Sequence, residues 1–342
     1  MEQIAFILGD RFIYRSSIVL TLAALAAIFL FLALYLKQTN HLLAGFCTVP
    51  LAVMLTLVCS RFIHWYCSAE SYPDFLSAMT NLSTGSFALL GAFAGCFLAA
   101  AITRGFGLHN NLPQMLDCMC LAGGAGIAAG RLSFLYHSGC RGQLLHSLRT
   151  LPFAYPTVNV VTGATEYRLA TFFLQALITG IITIVTAIFF SSNQRHKRKD
   201  GDTTLLFLMF YGVSQIVLDS TRYDSLYFRS NGFVSVVQVC GLLALLITIC
   251  VYSVRLIKKH KFKPWYLMIW LAQAALLGCA GYMEYYVQRH GNEAVFAYSV
   301  MSTSLMIVIL LTLLIRAMSY AVLPSGKTAK QAAVLQSSAD EG

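Results

Sequence analysis

Charged residues are scarce in this chain, and their scarcity excludes an ordinary soluble protein. Only 11% of the 342 residues are Asp, Glu, Lys or Arg, whereas 58% are hydrophobic. A soluble domain usually has about a quarter of its residues charged, so a soluble fold could not hide this much apolar surface. The mean hydropathy of +0.68 points the same way. The composition therefore indicates a polytopic membrane protein.

Several signals of other protein classes are also missing. The first apolar run is too long for a cleaved signal peptide, and no small-residue cleavage site follows it. We find no internal repeat of the kind that transporter folds contain. The basic residues form no aromatic–basic pattern that would suggest nucleic acid as a partner.

Ten cysteines are present, but their placement does not suggest a metal site or a disulfide framework. Eight of them lie inside apolar runs, where a free cysteine behaves as a small hydrophobic residue. Cys118 and Cys120 are two residues apart, a spacing that suits no zinc site. We therefore expect no zinc site at these cysteines, and a disulfide between Cys67 and Cys140 is left open.

Nine apolar runs are long enough, or nearly so, to cross a membrane as helices, which takes about 20 residues each. They cover residues 18–36, 42–59, 86–103, 114–136, 169–190, 205–218, 233–254, 265–283 and 295–315. The sixth run is the shortest and its ends are the hardest to place. The predicted fold class is therefore all-α, with about nine transmembrane helices.

The lysine and arginine distribution predicts the orientation of these helices. The segments "SSNQRHKRKDGD" after the fifth run and "RLIKKHKFK" after the seventh are both strongly basic. Loops rich in Lys and Arg stay in the cytoplasm, which places the N-terminus outside and the C-terminus in the cytoplasm. The net charge of +10 is explained first by this topology. The polar end, residues 319–342, is predicted to be a disordered cytoplasmic tail.

Two charged residues lie inside the fourth run, where a charge is costly and calls for a functional hypothesis. Asp117, near its cytoplasmic end, either caps a helix or pairs with Arg104. Arg131 lies near the outer end, after the small residues "AGGAGIAAG". It either extends its side chain to the membrane surface or binds an anion, because a guanidinium makes bidentate contacts with phosphate.

Other polar groups fall on the same, outer side of the predicted membrane. Gln215, Asp219 and Arg222 are spaced four and three residues apart, so they share one helix face. The Asp219–Arg222 pair alone would also fit a solvated ion pair at a helix end. The arginines and acids that would line one outward-facing cavity are Arg61, Arg131, Arg222, Glu166 and Asp219.

Several stretches, in the order in which they occur, resemble the bacterial prolipoprotein diacylglyceryl transferases. They are "SRFIHWYC", "GSFALLGAFAG", "LDCMCLAGGAGIAAGRLSF", "YPTVNVVTGATEY", "YGVSQIVLDSTR" and "GFVSVVQV". The resemblance covers roughly residues 15–254, and the family's seven spans and orientation match those predicted here. It divides the chain into a transferase-like membrane domain (1–254), an added two-helix hairpin (255–318) and a tail (319–342).

The resemblance implies transfer of diacylglycerol from phosphatidylglycerol to the lipobox cysteine of a prolipoprotein, in the bacterial plasma membrane. It implies that Arg131 holds the donor phosphate. The other candidate binding residues are Arg61, Arg222, Asp219, Gly142 and Glu166. The partners would be phosphatidylglycerol, prolipoprotein signal peptides and membrane lipids, without a cofactor or nucleic acid.

The chain departs from the family pattern at three positions that bear on this chemistry. Leu90 stands where the family has a histidine, Gln215 where it has an arginine, and Phe134 where it has an asparagine. The proton-accepting role then falls to His137 or His64, both on the outer side. The alternatives are a family member that only binds a lipid or an anionic ligand, and a small-solute transporter.

Overall fold

The chain folds into a bundle of long helices, as a computed structural model shows. The structure describes residues 3–8, 11–39, 41–81, 87–109, 111–137, 139–145, 153–158, 162–195, 199–228, 231–290 and 293–320. The predicted all-α class is confirmed, with three short β-hairpins added. The predicted tail lies outside the described residues, apart from its first two positions.

Nine long helices account for the nine apolar runs within the described part of the chain. They are α1 (Arg15–Thr39), α2 (Leu42–Cys67), α4 (Leu89–Gly105), α5 (Leu112–Arg131), α6 (Thr171–Arg195), α7 (Asp202–Ser220), α8 (Val236–His260), α9 (Trp265–Arg289) and α10 (Ala294–Tyr320), with a short α3 (Phe75–Thr80) between α2 and α4. Eight are long and apolar enough to cross a membrane, and α4 is shorter, with 17 residues. The multi-pass architecture is therefore confirmed.

The β-hairpins lie together at one end of the bundle. They are formed by β1 (Ile4–Leu8) with β2 (Arg11–Tyr14), β3 (Ala154–Val158) with β4 (Thr165–Leu169), and β5 (Tyr227–Phe228) with β6 (Asn231–Ser235), each antiparallel. They precede α1, α6 and α8, and the long helices alternate in direction, so all three reach this end, called the hairpin end below. The opposite, loop end carries the basic ends of α6 and α8. Which end faces the outside stays a prediction.

Close contact between α2 and α4 depends on a glycine. A Cβ atom added to Gly91 would lie 2.3 Å from the Cα of Ser60, a distance that no real Cβ tolerates. Small residues allow helix backbones to approach in this way inside a membrane, where packing rather than the hydrophobic effect holds helices together. The glycine-rich stretch that begins the third apolar run is therefore explained first by packing.

Asp117 caps a helix other than its own. Its carboxylate accepts hydrogen bonds from the backbone N–H groups of Gly201 and Thr204, both at 2.8 Å, and from the Thr204 hydroxyl at 2.7 Å. These N–H groups begin α7 and have no partner within that helix. A carboxylate there also interacts favourably with the helix dipole. The buried charge thus joins α5 to α7 at the loop end, instead of pairing with Arg104.

A second buried carboxylate docks the last two helices onto the rest of the bundle. Asp202, the first residue of α7, is fully buried and forms ion pairs with Arg255 of α8 and Arg316 of α10, the latter at 3.2 Å. The hydroxyl of Tyr320 donates to it at 2.6 Å. One carboxylate is therefore shared by three helices, and two of its partners belong to the added hairpin.

We expect Asp202→Asn to destabilise the protein, because two largely buried arginines would lose their shared counter-charge. Removing one partner of a buried ion pair costs about 3 kcal/mol. The thermal unfolding midpoint of the purified protein in detergent should fall. Asp74→Asn is the matched control: Asp74 is exposed and caps α3, and asparagine caps equally well. Equal midpoints for Asp202→Asn and wild type would contradict the prediction.

Candidate functional site

Arg131, the last residue of α5, lies at the hairpin end of the bundle. It is half-buried, and its Nη1 lies 3.3 Å from the sulfur of Cys140. It also interacts with the hydroxyl of buried Tyr211 on α7. Among the described residues, no carboxylate forms an ion pair with it. Its guanidinium therefore keeps a positive charge that no described carboxylate neutralises through an ion pair.

Arg222, which follows α7, is held in the opposite way. Its guanidinium pairs with Asp219 at 3.0 Å and with Asp224 at 3.0 Å. Asp219 is buried and also accepts a hydrogen bond from the Ser235 hydroxyl, and Asp224 accepts one from the backbone N–H of Cys140 at 2.7 Å. Two carboxylates thus fix Arg222 beside Cys140, across from Arg131, and balance its charge.

Cys140 lies between the two arginines in a constrained loop. It is 4% exposed, and its φ of 55° lies in the left-handed region, which few residues other than glycine adopt. Burial raises the pKa of its thiol, and the positive charges of Arg131 and Arg222 act in the opposite direction. The thiol marks the place where the two guanidinium groups converge.

Gly142 is required where three segments of the chain cross. A Cβ atom at this position would lie 2.5 Å from the Thr171 hydroxyl, 2.8 Å from the Leu169 Cβ and 3.0 Å from the Thr221 carbonyl oxygen. Its backbone forms a β-bridge with Arg222. The structure therefore gives Gly142 a positioning role for Arg222, since only a glycine lets these backbones meet.

Arg141 is a buried arginine that the sequence reasoning missed. Its guanidinium carbon lies 4.1 Å from the ring centroid of Tyr155 and 4.5 Å from that of Phe172. The guanidinium also donates hydrogen bonds to the backbone carbonyl groups of Phe134 and His137, both at 3.0 Å. Burial lowers the pKa of this guanidinium. Only the fold of the β3–β4 hairpin over it shows that it is buried.

Arg61, near the end of α2, is committed to the connection between α2 and α4. It is 2% exposed and donates to the carbonyl oxygens of Ala78 at 2.5 Å and Asn81 at 2.6 Å. The rings of Tyr72 and Phe87 lie over it, with centroids at 5.0 and 5.6 Å. These contacts make it an anchor for that connection, on different elements from the pair around Cys140.

The two histidines predicted as proton acceptors both have an engaged Nδ1. That of His137 accepts a hydrogen bond from the backbone N–H of Gly139 at 2.9 Å, and its ring packs edge-on against Phe134. That of His64 lies 3.0 Å from the hydroxyl of Tyr72. His137 belongs to the loop that carries Cys140, and His64 belongs to the Arg61 group.

Glu166 lies on β4, where it pairs with Arg168 at 3.1 Å. The Arg168 guanidinium also covers the ring of Tyr223, with a centroid distance of 4.7 Å. Because Tyr223 directly follows Arg222, this pair joins the β3–β4 hairpin to the segment that carries the second arginine of the site. Glu166 therefore acts on that segment indirectly, by holding the guanidinium of Arg168 that lies over Tyr223.

The three departures from the family pattern occupy different surroundings. Gln215 is 1% exposed, and its amide oxygen accepts a hydrogen bond from Gln175 of α6 at 3.2 Å. Phe134 packs against the small apolar cluster around Cys140 and Phe172. Leu90 lies half-buried in the first turn of α4. A neutral amide pair and two apolar side chains thus replace ionisable and polar groups.

The part of the chain that the structure describes contains no group of three or more His, Cys, Asp or Glu side chains that could hold a metal ion. All ten cysteines have free thiols, so Cys67 and Cys140 do not form a disulfide.

Known proteins similar to this chain share one description. A relative from Limosilactobacillus reuteri (strain DSM 20016), named phosphatidylglycerol–prolipoprotein diacylglyceryl transferase, is 20% identical over 219 residues, which cover 63% of this chain and 76% of the relative. A relative of the same name from Lactobacillus delbrueckii subsp. bulgaricus (strain ATCC BAA-365 / Lb-18) is 26% identical over 205 residues, covering 58% and 69%. Both names describe a transferase.

The family described as prolipoprotein diacylglyceryl transferase matches residues 3–254. This range contains every group described at the hairpin end up to Ser235, and it leaves out α9 and α10. The match begins at residue 3, twelve residues before the resemblance seen in the sequence, and both end at residue 254. Because it covers well over half of the chain, the chain belongs to the prolipoprotein diacylglyceryl transferase family.

Proposed function

We propose that this protein transfers the diacylglyceryl group of phosphatidylglycerol to the thiol of the lipobox cysteine in prolipoproteins. The observation that supports this most is the unneutralised Arg131, half-buried at the end of a membrane helix and beside a second, fixed arginine. Charged side chains within membrane segments are costly and usually belong to functional sites. Phosphate is a ligand that guanidinium groups bind well.

Arg131 and Arg222 would have different roles in binding the donor phosphate. Arg131 supplies net positive charge, since no described carboxylate pairs with it. Arg222 supplies oriented N–H groups whose charge is balanced by Asp219 and Asp224. Of the two, Arg131 therefore stabilises most of the charge that develops on the leaving phosphate. Such prearranged charge is a large term in enzyme catalysis.

The chemical step forms one carbon–sulfur bond and breaks one carbon–oxygen bond. The lipobox thiol gives its proton to a base, because the thiolate is the nucleophile. The sulfur then attacks the glycerol carbon that carries the phosphate ester. The electron pair of the broken bond goes to the phosphate oxygen, so that glycerol phosphate leaves and a thioether remains.

His137 is the better placed of the two candidate bases. It lies in the loop that carries Cys140, and the backbone carbonyl of His137 is held by Arg141. Its Nδ1 accepts the Gly139 N–H. The ring must release that bond either to take a proton at Nδ1 or to adopt the other tautomer, in which Nδ1 carries the hydrogen and Nε2 accepts the proton. This is a weaker arrangement than a histidine fixed for proton transfer, and it predicts a modest rate.

The location follows from the substrates. Phosphatidylglycerol and the prolipoprotein signal peptide are both membrane-embedded, so the protein acts within a bacterial plasma membrane. Its hairpin end faces the outside, as the basic segments at the loop end predict. Surrounding lipids complete its list of partners.

A second candidate is a family member that binds a lipid or an anionic ligand without the transfer reaction. The neutral Gln175–Gln215 pair favours it, because an arginine of the family pattern is replaced there by an uncharged amide. The same phosphate contact by Arg131 would serve binding alone. Activity and binding therefore have to be measured separately.

The transfer hypothesis predicts that expression rescues a bacterial strain depleted of its own transferase, measured as mature lipid-modified lipoprotein. Arg131→Ala should abolish the rescue, because loss of one stabilising donor lowers a rate about 100-fold or more. Arg104→Ala is the control, since Arg104 lies exposed in the last turn of α4 at the loop end. Failure of the inserted wild-type protein to rescue would favour the binding-only alternative.

The base assignment predicts that His137→Gln slows transfer to a lipobox peptide about 100-fold, the usual contribution of a positioned base. The remaining rate should increase with pH up to about 8.5, the ordinary pKa of a free cysteine thiol, because the substrate must then ionise unaided. His290→Gln, on the exposed end of α9, should leave the rate unchanged. If transfer is slow in His64→Gln and proceeds at the wild-type rate in His137→Gln, the base is His64.

A further inference from the structure

The helix pair α9–α10 lies outside the family match. At the end of the bundle that carries the β-hairpins, it nevertheless contacts the chain segments that build the site. These segments are the one after Gly142, the end of α7 and strand β6. An appended membrane anchor would need only apolar packing, which α10 already provides against the α7–α8 core. The polar contacts therefore call for a separate explanation.

Tyr298 of α10 makes two of these contacts with one hydroxyl group. The hydroxyl accepts a hydrogen bond from Nε2 of Gln143 at 3.0 Å and donates to the carbonyl oxygen of Ser220 at 3.2 Å. Gln143 directly follows Gly142. Ser220 lies between Asp219 and Arg222, so the hydroxyl joins the two segments that already meet at the Gly142–Arg222 bridge.

The Ser220 carbonyl is one of the last four in α7, which have no partner within the helix. A hydrogen bond from outside satisfies it and fixes the angle at which the chain leaves the helix toward Arg222. The Tyr298 ring packs against the apolar core shared by α7, α8 and α10. The hydroxyl is therefore held by a ring that has little freedom to move.

The third contact reaches the same site from strand β6. Nε2 of Gln288, in the last turns of α9, donates to the Phe233 carbonyl at 2.6 Å and to the buried carboxylate of Glu284 at 3.3 Å. Phe233 lies two residues before Ser235, whose hydroxyl donates to Asp219. Asp219 in turn holds Arg222. The chain on either side of Arg222 therefore forms hydrogen bonds with α9 and α10, through Ser220 before it and Phe233 after it.

We propose that the added hairpin is an integral part of the site, with Tyr298 as a positioning residue for Arg222 and Gly142. The proposal rests on the proposed function, in that Arg222 is taken to bind the donor phosphate. Without the hydroxyl, the Gly142–Gln143 segment and the end of α7 separate more easily. Arg222 then spends less time in the position that phosphate requires, while the bundle itself stays folded.

Tyr298→Phe tests this by removing both hydrogen bonds and keeping the ring. The purified full chain in mixed micelles of detergent and phosphatidylglycerol, with a lipobox peptide as acceptor, should show a KM for phosphatidylglycerol about fivefold higher, the effect of about 1 kcal/mol. Its kcat should stay close to that of wild type. A merely structural role would lower the amount of active protein and leave KM unchanged. Tyr282→Phe, on the exposed face of α9, is the matched control.

A second measurement does not depend on activity. Cys140 is 4% exposed and lies three residues before Gln143, so its alkylation by N-ethylmaleimide, followed by peptide mass spectrometry, reports on the opening of this loop. Tyr298→Phe should increase alkylation of Cys140 several-fold, and Tyr282→Phe should not. Cys118, fully buried between α5 and its neighbours, should stay unlabelled, which shows that the protein has not unfolded.

The outcomes separate the two proposals. Inactive wild-type protein with faster Cys140 alkylation in Tyr298→Phe would overturn the transfer reaction and leave the positioning role standing. Active wild-type protein with an unchanged KM and unchanged Cys140 alkylation in Tyr298→Phe would overturn the positioning role. If Tyr298→Phe labels Cys118 as well, Gln143→Ala replaces it: Gln143 is exposed, and the variant removes one of the two bonds. Wild-type alkylation of Cys140 in that variant would overturn the proposal.

Discussion

A charge inside a membrane protein is costly without a partner, and this constraint explains how several charged groups of the bundle are held. Asp117 is satisfied by the first N–H groups of α7, and Asp202 by two arginines and a tyrosine. Arg61 is satisfied by backbone carbonyl groups, and Arg222 by two carboxylates. Arg131 has a thiol and a phenol beside it and forms no ion pair with a described carboxylate. In the proposed function, a lipid phosphate is the partner of this guanidinium.

The same electrostatic balance explains what the departures from the family pattern do to the site. With Gln215 in place of an arginine, the positive charge around Cys140 comes from Arg131, Arg141 and Arg222, and two carboxylates offset part of it. Gln215 keeps its place in the packing through a hydrogen bond with Gln175, which needs no counter-ion. Under the proposed function, this exchange lowers the positive charge available to the donor phosphate, while a hydrogen bond still joins α6 to α7.

The added α9–α10 hairpin is joined to the family part at both ends of the bundle. At the loop end, Arg316 and Tyr320 share Asp202 with Arg255. At the hairpin end, Tyr298 and Gln288 bind carbonyl and amide groups next to the site. Between these ends α10 packs through apolar side chains against α7 and α8, and the indole of Trp270 on α9 donates to the Ser253 hydroxyl at 3.0 Å. Polar contacts at both ends fix the position of a helix along the membrane normal, which apolar packing alone does not, because lipid tails compete equally well for apolar surfaces.

The amino-acid sequence by itself determined the membrane class, the family and the nine helices, whose ends it placed to within eight residues. It could do so because apolar run length and the order of short motifs are local properties. It also singled out Arg131, since a lone charge in an apolar run is visible without a structure. The tertiary structure decided which charges are neutralised. Arg61 and Arg222 look alike in the sequence, yet one holds backbone carbonyl groups and the other holds carboxylates. Arg141 is buried under β3–β4, and Asp117 caps a helix 84 residues further along the chain. These pairings depend on contacts between residues far apart in sequence, which spacing along one helix does not encode.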